Sequence, residues 1–137
     1  MDNEFQTAFW AAKRAIALAA EAAYNRYGVR SGQQFVLREL WRSDGMTPGE
    51  IARALELATP TVTRTATRME AAGLLRRQAD ERDARLVRLW LTDRGRELEE
   101  AIAVEMERLT DRALRTLTPE ERDLCVKFLG EIRSNLS

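Results

Sequence analysis

The three prolines of this 137-residue chain, Pro48, Pro60 and Pro119, each follow a threonine. Proline lacks an N–H, and the first turn of a helix leaves its N–H groups unpaired, so proline fits there and a preceding threonine can cap. Thr47-Pro48-Gly49-Glu50 and Thr118-Pro119-Glu120-Glu121 add a glutamate placed to close a capping box. Ser31-Gly32-Gln33-Gln34 reads as a further box. Helices are therefore expected to begin near residues 32, 48, 60 and 119.

Apolar periodicity supplies the other elements. Phe5, Phe9, Ala12, Ile16, Ala19, Ala23 and Tyr27 predict a helix over 4–27. Phe35, Val36, Leu40 and Trp41 form the inward side of a helix over 32–43, and Ile51, Ala52 and Leu55 that of one over 48–56. A helix over 60–72 stops at Gly73, a C-terminal cap. Residues 74–77 and 85–91 read as two strands around a polar turn. Thr92 can cap a helix over 93–117 with the stripe Leu98, Ile102, Met106, Leu109, Ala113 and Leu117. Leu124, Phe128, Leu129, Ile132 and Leu136 mark the last helix. The fold class is mainly α, with one hairpin.

Composition removes whole classes of chemistry. There is no histidine, hence no His-based acid–base catalysis and no His-ligated metal. No glycine-rich phosphate loop or serine-nucleophile turn appears, so an enzyme is the remote reading. No cofactor or metal site is expected. The lone cysteine, Cys125, excludes an internal disulfide and agrees with a reducing compartment. Met1-Asp2-Asn3-Glu4 is acidic, unlike a secretory start, and no apolar run is long enough for a membrane, so a cytoplasmic protein is expected. The net charge is zero, but residues 61–94 hold eight arginines against five acids. A local basic patch is sufficient for phosphate contacts.

That patch coincides with a helix-turn-helix arrangement, three helices joined by short turns. On the helix over 60–72, Val62, Ala66 and Met69 fall at core spacing. Thr61, Arg64, Thr65 and Arg68 share the opposite face, with Thr63 and Thr67 at its flanks. Small hydroxyls let a helix lie deep in a major groove, and arginine can reach guanine edges or phosphate. Threonine is a mediocre helix former, which weakens the plain reading of a solvated helix face. The hairpin turn, Gln78 to Arg85, mixes acids with arginines, which fits an aspartate bracing the loop while an arginine projects into a minor groove, and equally a charged, solvated tip.

Residues 31–95 resemble the winged helix-turn-helix of the multiple-antibiotic-resistance regulator (MarR) family. The resemblance is carried by Gln34 to Leu40, Thr47 to Leu57, Thr61-Val62-Thr63-Arg64 and Met69 to Arg77. Its most specific parts are Asp80-Glu81-Arg82-Asp83-Ala84-Arg85 and Leu91-Thr92-Asp93-Arg94-Gly95. It implies a winged helix-turn-helix with a two-stranded wing, flanked by N- and C-terminal dimerisation helices. One MarR-like domain would span 1–137, with 31–95 as the DNA-binding lobe and 1–30 and 96–137 as the dimerisation lobe. It further implies a homodimer on a palindromic operator of double-stranded DNA, usually a repressor released by a small ligand or an oxidant. The recognition helix maps onto Thr61 to Gly73, the wing arginine onto Arg85 and its brace onto Asp83.

Peroxide-sensing members of the family carry a cysteine near the start of the first helix, which this chain lacks. Cys125 beside Leu124 reads as a small packing residue. That leaves ligand sensing, or no sensing; the resemblance implies a pocket between the two lobes that admits aromatic or phenolic ligands, often anionic. Trp10 and Arg14, one turn apart, are the candidates for holding a ring and its carboxylate, with Trp41 as a third lining residue. The wide apolar stripes of the terminal helices are more than one chain of this size buries, which also favours a homodimer. The rival reading is a winged-helix protein-interaction module that does not bind DNA.

Overall fold

The computed structural model describes residues 3–137, so the acidic start at Met1 and Asp2 lies outside the described residues. Six helices and one hairpin follow in the order α1 (Glu4–Arg26), α2 (Gln33–Arg42), α3 (Pro48–Leu55), α4 (Thr59–Ala71), β1 (Leu75–Ala79), β2 (Val87–Leu91), α5 (Asp93–Ala113) and α6 (Pro119–Leu136). β1 and β2 pair antiparallel, with Leu75 opposite Leu91 and Ala79 opposite Val87. The chain is a winged helix-turn-helix flanked by long helices.

Two of the expected capping boxes form. Thr47 Oγ1 accepts from Glu50 N–H (3.1 Å) while Glu50 Oε1 accepts from Thr47 N–H (3.2 Å). Thr118 and Glu121 repeat the exchange at 3.2 and 2.8 Å. Thr92 Oγ1 caps α5 by accepting from Gly95 N–H (3.1 Å). The box at Ser31 does not form. Gly32 is the N-cap of α2, in a left-handed conformation (φ 88°) that carries Ser31 out of capping position. The buried Gln33 instead accepts from Arg30 N–H through Oε1 (3.0 Å). Thr59 is not a cap either. α4 starts one residue early with Ala58 at its N-cap, so Pro60 occupies the second helical position. A proline N–H is dispensable there too.

α4 ends as expected, at Gly73 with φ 78°. Gly73 N–H donates to Glu70 O and Leu74 N–H to Met69 O, both at 3.0 Å, the paired bonds of a Schellman stop. α5 ends at Ala113, four residues before the expected end.

One core joins α2, α3, α4, the hairpin and the first half of α5, built from Val36, Leu37, Leu40, Ile51, Val62, Met69, Leu74, Leu89, Leu98 and their neighbours. On α2 the inward residues are Val36, Leu37 and Leu40; Phe35 faces solvent instead and Leu37 takes its place. The outer helices differ. Phe5, Trp10, Ile16 and Leu18 of α1 are exposed, as are Leu124, Val126, Phe128 and Leu129 of α6, and α6 contributes no buried residue.

Gly95 ties the hairpin to α5. A Cβ there would collide with the Leu74 carbonyl, and the Gly95 carbonyl accepts from Trp41 Nε1 (2.8 Å). The close approach of α5 to the start of β1 thus requires glycine. Gly95→Ala is expected to lower stability by about 1–3 kcal/mol through overpacking. Urea unfolding of the two proteins measures it, and an unchanged midpoint would show that the backbone can yield.

Candidate nucleic-acid interface

α3 stops at Glu56, which adopts a left-handed conformation (φ 56°). This is uncommon without glycine and costs about 1–2 kcal/mol. It turns the chain within three residues, Glu56 to Ala58, so that α4 can start again across α3. Val62, Ala66 and Met69 are fully buried beneath α4. Thr63, Arg64, Thr67 and Arg68 are exposed, while Thr61 and Thr65 are half-buried.

The threonines are tolerated in this helix for a visible reason. The hydroxyls of Thr63, Thr65 and Thr67 donate to the carbonyls of Thr59, Thr61 and Thr63, at 3.1, 3.0 and 2.9 Å. Such back-bonding satisfies each hydroxyl within the helix. It leaves methyl groups and oxygen lone pairs on the surface. Among the described residues, Arg64 and Arg68 make no ion pair or side-chain hydrogen bond, so both guanidinium groups are free to donate outward.

Open basic clefts flank α4 on both sides. One, toward the hairpin, has Pro48, Arg53, Thr63, Arg77, Arg85 and Val87 in its walls. The other, toward the start of α2, has Arg30, Ser31, Thr65 and Arg68. A helix lying in a major groove has one phosphate strand on each side, and this is the charge arrangement those strands require.

The hairpin turn is organised by its aspartates. Asp83 grips Arg85 with both oxygens, Oδ1 to Nε at 3.0 Å and Oδ2 to Nη2 at 3.2 Å. The Arg85 side chain is nonetheless 90% exposed. The brace expected between Asp83 and Arg85 is therefore present, and it extends the arginine into solvent. Arg82 is also exposed, with its backbone N–H donating to Asp80 Oδ2 (3.0 Å) and its side chain unpaired among the described residues.

Several supports were not evident in the sequence. Asp80 Oδ2 also accepts from Asp83 N–H (2.9 Å), and its Oδ1 takes Arg88 Nε (2.6 Å). Arg77 joins β1 to α4, donating from N and Nε to Glu70 (2.9 and 3.0 Å) and from Nη1 to Thr67 Oγ1 (3.2 Å). The turn before α3 adds a third partner to the hairpin through the bridge between Met46 and Leu89. All of these join positions whose adjacency depends on the fold.

Of the candidate ligand-pocket residues, Trp10 and Arg14 lie on α1 and Trp41 on α2. Trp41 spends its Nε1 on Gly95, whereas Trp10 is half exposed on α1, donating to Gln6 Oε1 (2.7 Å) with Lys13 Nζ 4.8 Å above its ring.

The hydrogen bond from Arg88 holds the Asp80 carboxyl below the usual aspartate range, and that from Arg85 does the same for Asp83. Depressed folded values mean that the turn is fully braced above the usual aspartate pKa. The brace is lost only as pH falls through the depressed values. Protection of the Arg82, Asp83 and Arg85 amides, exchange measured against the intrinsic rate at each pH, is expected to hold down to the usual aspartate range and to fall below it. Loss of protection already near pH 6 would mean that the carboxylates do not hold the turn.

The profile of the MarR family matches residues 30–87. The chain is 35% identical over 98 residues to the HTH-type transcriptional regulator TtmR of Methylorubrum extorquens, covering 72% of this chain and 50% of TtmR. It is 33% identical over 96 residues to the HTH-type transcriptional repressor MdtR of Bacillus subtilis, covering 70% of this chain and 62% of MdtR. The crystal structure of the YusO protein from Bacillus subtilis superposes with a TM-score of 0.82 at 27% identity, over 96% of this chain and 93% of that one. No helix among the described residues is long and apolar enough to cross a membrane. With the winged helix-turn-helix in place, these likenesses identify residues 30–87 as a MarR-family domain, shared with HTH-type transcriptional regulators.

Proposed function

We propose that this regulator acts as a homodimeric repressor on a palindromic operator, with 31–95 as its DNA-binding lobe and 1–30 and 96–137 as its dimerisation lobe. The observation that carries the reading is α4 itself. Arg64 and Arg68, unpaired among the described residues, stand on an exposed crest flanked by two clefts with arginines in their walls, with Arg85 held outward beyond one of them. Thr61, Thr63, Arg64, Thr65 and Arg68 would read or line the major groove, while Arg82 and Arg85, with Asp83 as brace, would reach the adjacent minor groove.

The exposed apolar faces of α1 and α6 support the dimer. Side chains such as Phe128 and Leu129, 51% and 52% exposed, lose the hydrophobic gain of burial unless another surface covers them. A second copy doubles the DNA contact and imposes two-fold symmetry on the site. Release by a small aromatic acid follows on this reading if Trp10, Arg14 and Trp41 meet a ligand at the lobe boundary of the dimer. Lys13 over the Trp10 ring already makes that end of α1 attractive to an anion.

The test is binding of a duplex selected by the protein from a random-sequence pool. Arg85→Ala is expected to weaken binding by about 1–3 kcal/mol with the fold intact. Unchanged affinity at fixed salt would remove the turn from the interface. If Arg64 or Arg68 reads bases, its replacement by alanine costs different amounts on different duplexes. If it meets only phosphate, the loss is uniform and the salt slope falls by about one. Phe128→Asp is expected to give monomers in sedimentation and to abolish symmetric footprints; a dimer that persists would place the interface elsewhere. A protein that selects no duplex at all would favour the protein-interaction module instead.

A further inference from the structure

We infer that Arg88 is a positioning residue for DNA reading, fixing the hairpin's angle to the helix-turn-helix and acting on operator affinity through Arg85. The inference rests on the DNA-binding reading above and adds to it a specific mechanical link.

Arg88 lies on β2 with its side chain two-thirds buried. Its guanidinium meets acceptors from three separate parts of the chain. Nε donates to Asp80 Oδ1 (2.6 Å), Nη1 donates to the Gly45 carbonyl (2.9 Å), and Nη1 lies 3.6 Å from Glu50 Oε1. Asp80 belongs to the hairpin turn, Gly45 to the turn before α3, and Glu50 to the capping box of α3. The other oxygen of Asp80 receives the N–H groups of Arg82 and Asp83. Asp83 in turn grips Arg85. A continuous chain of charge-assisted bonds therefore runs from the start of α3 to the exposed arginine.

The backbone alone does not carry this link. Bonds between the turn before α3 and β2 involve Leu89 and Leu91, whereas among the described residues the backbone of the hairpin beyond Arg88 bonds only within the hairpin. Two-stranded ribbons are marginal and twist readily. Arg88 is the side chain that ties the outer ribbon back to α3. Partly exposed ion pairs contribute little to global stability. Loss of Arg88 is thus expected to change where Arg85 points far more than it changes whether the protein folds. Lysine cannot substitute, because one ammonium cannot span acceptors that Nε and Nη1 of the guanidinium reach in fixed directions.

The experiment is a double-mutant cycle, read by fluorescence anisotropy at fixed salt on a duplex selected by the wild-type protein. Arg88→Gln is expected to weaken binding about tenfold in the wild-type background and less than about twofold beside Arg85→Ala, a coupling in the range of contacting networks. Arg88→Lys should behave like Arg88→Gln. Asp80→Asn, which keeps an acceptor for the turn but loses the charge, is the second variant and should show the same dependence on Arg85. Melting should move by no more than about 4 °C. An Arg88→Gln loss of equal size in both backgrounds, or full rescue by lysine, would overturn the inference and leave DNA binding standing. Failure of the wild-type protein to select any duplex would overturn both.

Discussion

The turn Asp44-Gly45-Met46 is the joint on which the two reading elements depend. Asp44 Oδ1 accepts from Leu91 N–H (2.9 Å) and from Gly45 N–H (3.0 Å). Gly45 N–H also reaches Leu89 O, and Leu89 N–H returns to Met46 O at 2.8 Å. Gly45 has φ 80°, and a Cβ there would lie 2.5 Å from the Trp90 ring. Glycine is required both by the backbone and by the packed indole. The helix-turn-helix and the hairpin are consequently one body joined near the base of the hairpin. A carboxylate accepting from backbone N–H groups serves this joint better than an apolar residue would, because buried N–H groups left unpaired are costly.

Local signals in the sequence were reliable where local physics decides the outcome. Thr47, Thr92 and Thr118 cap their helices, and Gly73 stops α4, because each acts within a single turn of chain. Asp83 and Arg85, two residues apart, form the expected brace for the same reason. Ser31 and Thr59 failed where backbone geometry one residue away won, through the left-handed Gly32 and an early helix start that puts Ala58 at the N-cap. Phe35 misled because the apolar face of a short helix is set by what packs against it, and the core takes Leu37. The links Glu70–Arg77, Asp80–Arg88 and Met46–Leu89 could not be read from spacing, since each joins segments that only the fold makes neighbours.

The apolar stripes of α1 and α6 show the opposite case. Their periodicity was plain in the sequence, but most of it finds no cover within the chain. α1 packs against α5 chiefly through its C-terminal half, where Ala23 and Tyr24 are buried and Arg26 pairs with Glu105 (2.7 Å). The rest of α1 and all of α6 stand away from the core that holds the reading elements. Apolar area left at this scale is a driving force for association.

The central claim is that α4 and the hairpin move as one rigid unit before any DNA is present. Residual dipolar couplings of backbone amides in DNA-free protein test it most directly, comparing Thr59–Ala71 with Leu75–Ala79 and Val87–Leu91 in one alignment medium. A single alignment tensor fitting all three segments is the predicted result. A hairpin that needs its own tensor, or shows uniformly reduced couplings, would contradict a fixed joint at Asp44-Gly45-Met46.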